Sequence, residues 1–174
     1  MLEPSSASTA PLLEANALHL WRGEKHLLRG VDLQLHAGEL LQIIGPNGVG
    51  KTSLLRCLAG LLPLESGEVR WRGQNIRACR DDYHRSLSYL AHSNALKQEL
   101  TALENLKYAI GLQRQTSQAD LLQALEQVQL VSCAALPARA MSAGQKRRLA
   151  IARILLSDAK LWVLDEAITN LGAA

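Results

Sequence analysis

The chain has 174 residues, 48% of them apolar and 20% charged, the balance of a globular domain large enough to bury a core. A net charge of +3 is too slight to argue for a nucleic-acid partner, and no run approaches the ~20 consecutive apolar residues of a membrane span. Cys57, Cys79 and Cys133 form no C-x-x-C pair and have no histidine at ligand spacing, so they read as reduced thiols of a cytosolic protein. Phenylalanine is absent. The core must come from Leu, Ile, Val and Ala, with Trp21, Trp71 and Trp162 as the large fillers.

Residues 1–13 make a small-residue, proline-containing tail, expected to be mobile; it lacks the basic start of a signal peptide. "NALHLWR" (16–22) and "VDLQLH" (31–36) alternate apolar and polar residues and read as strands with one buried face. "GELLQIIG" (38–45) is nearly continuous in apolar residues, which suits a strand covered on both faces in a parallel sheet. Then two glycines and a proline interrupt the run. Beyond them Leu54, Leu55, Leu58, Leu61 and Leu62 follow helical spacing, and Val69 and Trp71 share one face of a further strand.

The stretch from 75 to 140 reads as more helical. Thr101 with Glu104 three residues on is a capping box, and Ser117 opens a helix with Leu121, Leu122, Leu125 and Val128 on one stripe. Ser142 caps another, with Leu149, Ala152, Leu155 and Leu156 inward. Lys146, Arg147 and Arg148 on it are the densest basic cluster, either a solvated face or the neighbourhood of an anion. "AKLWVLDEA" is an apolar strand ending in two acids, expected beside 38–45 in one parallel sheet.

The interruption at 45 explains itself chemically. Gly45, Gly50, Lys51 and Thr52 match G-x-x-x-x-G-K-[ST] without substitution, between a predicted strand and a predicted helix. A helix start carries unpaired N–H donors and partial positive charge. Glycines let the backbone from Gly45 through Pro46, Asn47, Gly48, Val49 and Gly50 to Ser53 turn its amides inward on phosphate oxygens. Lys51 adds a full charge, and Thr52 offers a hydroxyl to Mg²⁺. Asp165 at a strand end can hold the same metal, and Glu166 beside it can orient or deprotonate a water. ATP with Mg²⁺ is the ligand this pattern calls for.

Ser142-Ala143-Gly144-Gln145 narrows the class. It resembles the signature motif of ABC-type ATPases, usually Leu-Ser-Gly-Gly-Gln, with alanine a mild departure. The resemblance covers about residues 14–171, and "ELTALENL", the signature alanine and Arg22-Gly23 look most like the ATP-binding subunit of the haem exporter of cytochrome c maturation. It implies an α/β P-loop fold of the ABC type: a mixed or parallel sheet core, an antiparallel N-terminal β part and a helical subdomain at about 94–150. It implies an ATPase in which the signature of one copy (Ser142, Gly144, Gln145) covers the nucleotide held by a second, head-to-tail copy. It implies a membrane permease as partner and a peripheral place on the cytoplasmic side of a bacterial inner membrane. The transported molecule is not legible in such a subunit.

Several positions depart from the family's pattern. Ser93, beside His92, stands where a glutamine is expected, so a water or His92 takes its part, or the loop is incidental. Trp21 or Arg22 falls where an aromatic stacks on adenine, and Trp21 as core filler is the competing reading. Ala167 replaces a proline, Gly172 an aspartate, and all five histidines precede Asp165, so the family's switch histidine and its strand are expected to be missing. The alternative to a working transporter ATPase is therefore a truncated module that binds nucleotide without hydrolysing it.

Overall fold

The computed structural model describes residues 10–111 and 115–165. The chain forms two compact units, Met1–Arg85 and Ser86–Ala174.

The first unit is built on an antiparallel sheet. β1 (Leu13–Arg22) and β2 (Lys25–Leu35) form an antiparallel hairpin whose pairs run from Leu13↔Leu35 to Arg22↔Lys25, with register shifts on the way. β3 (Ser66–Trp71) pairs with the other edge of β1, and the short β4 (Gln74–Asn75) follows it, giving the order β2-β1-β3-β4. Alternation explains the buried set Leu13, Ala15, Leu18 and Leu20, once one irregularity is allowed. Ala17 turns left-handed there (φ 47°), and Gly67 of β3 approaches so closely that a Cβ on it would lie 2.3 Å from the Ala17 carbonyl oxygen. α1 (Lys51–Leu58) buries Leu54, Cys57 and Leu58, while α2 (Arg80–Ser86) buries Tyr83, whose hydroxyl donates to the Leu58 carbonyl at 2.5 Å.

In the second unit, α3 (Ala102–Gly111), α4 (Gln118–Gln127) and α5 (Ala143–Leu155) enclose a leucine core that includes Leu106, Leu125, Leu130 and Leu149. β5 (Leu87–Leu90) and β6 (Leu161–Leu164) pair in parallel, and Ala150 and Ile154 of α5 pack on Leu90. All three expected caps form, on Thr101, Ser117 and Ser142.

Several expectations need correction. Residues 38–45 are not a strand: Leu40 is 93% and Ile44 82% exposed, and the parallel neighbour of β6 is β5. An apolar run becomes a strand only where a neighbour takes its backbone N–H and C=O groups, and 38–45 extends neither edge of the first unit's sheet. Only Trp71 of the three tryptophans fills a core; Trp21 and Trp162 are about half exposed, because each sits on an outward strand position. α1 ends before Leu61, and Leu155 faces outward. Leu13, assigned to the tail by the sequence, is a buried residue of β1; residues 1–9 lie outside the described set.

Candidate nucleotide site

The glycine loop lies in the first unit. Gly50 is the N-cap of α1 in a left-handed conformation (φ 111°), where an L side chain would be strained, and it supplies no side-chain cap. The first turn of α1 thus has no side-chain cap from its N-cap residue, and a helix start of this kind is a general attractor of anions. Lys51 folds back across the turn: its Nζ donates to the carbonyls of Gly45 (2.7 Å) and Pro46 (2.9 Å). The ammonium is thus held on two neutral main-chain acceptors, for which a charged phosphate oxygen would be a stronger competitor. A Cβ on Gly45 would meet Val49 Cγ1 at 3.2 Å, so the turn closes too tightly for a larger residue to enter without displacing Val49. Asn47, Gly48 and Val49 are exposed at the tip, and Thr52 and Ser53 occupy the first turn of α1.

The β1–β2 turn stands beside this loop, for Lys25 Nζ donates to the Gly48 carbonyl at 3.3 Å. At the end of β1 the Trp21 indole stacks on His26, centroids 4.1 Å apart and planes 6° from parallel. His26 in turn shares a 3.1 Å hydrogen bond with His19, and the Trp21 backbone N–H donates to Glu65 Oε2 at 3.1 Å. With 48% of its surface exposed, Trp21 is not core filler. It is an anchored, open aromatic face in the unit that carries the glycine loop.

In the second unit, Ser142 and Gln145 form a reciprocal capping box: Gln145 N donates to Ser142 Oγ (3.2 Å) and Ser142 N to Gln145 Oε1 (2.8 Å). The Gln145 side chain is therefore occupied, its Nε2 directed to Cys133 Sγ. What the turn offers to an anion is the Ser142 hydroxyl proton and the amides at the start of α5, Gly144 among them. Asp165 closes β6, 3% exposed, with its N–H on the Leu90 carbonyl. His92 and Ser93 are exposed in the turn after β5. Glu166 lies outside the described residues.

Arg147 is the residue the sequence reading misjudged. It is 4% exposed, donating from Nη1 to the Ala91 carbonyl (2.8 Å) and Asn94 Oδ1 (3.1 Å), and from Nη2 to the Asp165 carbonyl (2.6 Å). The signal was available: Arg147 shares the i, i+3, i+7 stripe of Ala150 and Ile154, both buried. Three consecutive cations on a helix cannot all share one face.

A glycine loop that opens a helix around a lysine, an acid closing an apolar strand and a serine-capped Ser-Ala-Gly-Gln turn together define an ABC-type ATPase of α/β fold. The family model "ABC transporter" matches residues 28–169, and the chain belongs to that family. Among its relatives, the cytochrome c biogenesis ATP-binding export protein CcmA of Dechloromonas aromatica is 49% identical over 164 residues, 94% of this chain and 80% of that protein. The protein of the same name from Nitrosococcus oceani is 48% identical over 161 residues, 92% and 74% of the two chains. A solved putative ABC transporter ATP-binding protein from Pyrococcus furiosus superposes with a TM-score of 0.83 at 24% identity, covering 92% of this chain and 78% of its own; it speaks to the fold.

Proposed function

We propose that this ATPase binds MgATP at Gly45–Ser53 and hydrolyses it as the energy-supplying subunit of an exporter serving cytochrome c biogenesis, with haem handling as its task. The observation that carries the nucleotide reading is Lys51 Nζ held on the Gly45 and Pro46 carbonyls at the mouth of an α1 start that lacks a side-chain cap. The exporter role is supported by the relatives' shared name at 43–49% identity. In this reading Trp21 stacks on the adenine, the amides of Gly45–Ser53 and Lys51 receive the phosphates, and Glu166 positions the attacking water.

For Mg²⁺ the proposed ligands are the Thr52 hydroxyl and the Asp165 carboxylate, each a hard oxygen of the kind that cation takes; the Asp165 backbone N–H donates to the Leu90 carbonyl at the end of β6. When bound, the metal neutralises charge on the phosphates. Ser142, Gly144 and Gln145 would cover the nucleotide of a second, head-to-tail copy, Gln145 through its main chain because its side chain is engaged in the cap. No described helix is long and apolar enough to cross a membrane. The place proposed for this chain is peripheral, on the cytoplasmic side of a bacterial inner membrane, with a membrane-spanning permease as its partner. The ATPase domain begins with β1 at Leu13, and its helical part is proposed at about 94–150.

The test is MgATP affinity and turnover of the full chain. Lys51→Ala is expected to weaken MgATP binding at least ~100-fold, and Glu166→Gln to retain binding and lose turnover. Wild-type affinity no better than that of Lys51→Ala would reject the nucleotide site. Binding without wild-type turnover would leave the non-hydrolytic module as the reading.

A further inference from the structure

Arg147 gathers carbonyl groups from two separate segments onto one helix. Its guanidinium takes Ala91 and Asn94 from the turn after β5 and Asp165 from the end of β6. Its own backbone is two residues beyond Gln145, whose backbone N–H donates to the capping Ser142 hydroxyl. Arg153, two turns further along α5, adds Nη1 bonds to the Asn94 and Ala95 carbonyls at 3.1 Å. The turn holding His92 and Ser93 is therefore stapled to α5 at both ends. A guanidinium with almost no exposure is costly to desolvate, and an apolar side chain on this stripe, beside Ala150 and Ile154, would pack without that cost. Only a planar fork can hold acceptors on both segments at once, and lysine cannot reproduce it.

We propose that Arg147 is a positioning residue. It locks the signature turn, the His92–Ser93 turn and the metal-acid end of β6 into one body, so that contact made at Ser142 is felt at Asp165. This rests on the nucleotide reading above for its consequence in turnover, but not for the lock itself.

Hydrogen exchange on the nucleotide-free full chain tests the lock. In Arg147→Met the amides of 91–95 are expected to exchange at least tenfold faster than in wild type, while those of β1 and α4 stay within twofold. Arg147→Lys should lie between. Unchanged exchange at 91–95 would overturn the proposal. So would a uniform rise across β1, α4 and the turn, which would make Arg147 a general stabiliser. Kinetics supplies the second arm: in Arg147→Met kcat is expected to fall at least tenfold with KM for MgATP within twofold, and Asn94→Ala added to it should cost little more. A KM that rises as kcat falls, or losses that multiply, would also overturn it. If wild-type protein shows no turnover at all, the nucleotide reading loses its hydrolytic half and the exchange arm alone decides the lock.

Discussion

Trp21 shows how much a single side chain's surroundings add to its identity. The sequence puts the indole, or Arg22 beside it, near the adenine position, with core packing as the rival for Trp21; exposure removes the core reading, because the ring lies open with His26 on one face, and base stacking is the proposal that stands. Base stacking on an aromatic contributes roughly 1–3 kcal/mol. Trp21→Ala is therefore expected to weaken MgATP binding by about tenfold or more and leave inorganic tripolyphosphate binding unchanged, as titration calorimetry would read; equal losses for both ligands would remove Trp21 from the base site. His26 and Lys25 carried no sequence signal, since Trp21 is brought to His26 by the hairpin register and the Gly48 carbonyl is brought to Lys25 only by the fold. Cys57 gives a second test at this scale. Burial, aided by the nearby Glu65 charge, pushes its thiol up to about 11. The native state thus keeps its proton where the unfolded chain, with a thiol near ~8.5, would lose it. The stabilisation is complete below the unfolded value and is lost as pH rises toward 11. Iodoacetamide at pH 8 should modify partly exposed Cys79 first and leave buried Cys57 intact, as mass spectrometry of the native protein would show.

The helices were the most legible elements, because caps and stripes are local. Thr101, Ser117 and Ser142 all cap as their spacing indicates, each with its partner three residues on. Glu104 receives the Thr101 N–H and hydroxyl, both at 2.8 Å, and these bonds hold its carboxyl below the ordinary carboxylate value. A lowered native value means the cap contributes above the unfolded pKa and is lost as pH falls through the native one. Glu104→Gln should flatten that acid limb of stability, measured by denaturant midpoint below pH 5. Asn105 was not legible. Its side chain lies 4% exposed under the turn before α3, accepting from Lys97 N–H and donating to the carbonyls of Lys97, Leu100 and Thr101. From sequence it was one polar residue on a helix, indistinguishable from a solvated one. Asn105→Ala strands those buried backbone groups and should cost about 2–3 kcal/mol in urea unfolding.

At the scale of the whole molecule, sequence pattern reports burial more faithfully than partnership. The run at 38–45 has the composition of a covered strand, yet pairing depends on which strands the topology brings alongside, and β6 has taken β5 as its parallel neighbour. The glycine loop itself does not depend on that strand being formed: its turn is set by Gly50 and by Lys51 bonding to Gly45 and Pro46. The consequence is an apolar segment facing solvent, with Leu40 93%, Leu41 46% and Ile44 82% exposed. Such a patch draws hydrophobic dyes and promotes association. Leu40→Ser with Ile44→Ser should lower the binding of an anilinonaphthalene dye to the native chain and slow its aggregation, while the unfolding free energy from denaturant titration changes by less than ~0.5 kcal/mol, since exposed apolar side chains contribute little to folding. A loss of several kcal/mol from the same pair would instead mean that 38–45 is buried in the folded chain, as the sequence pattern alone predicts.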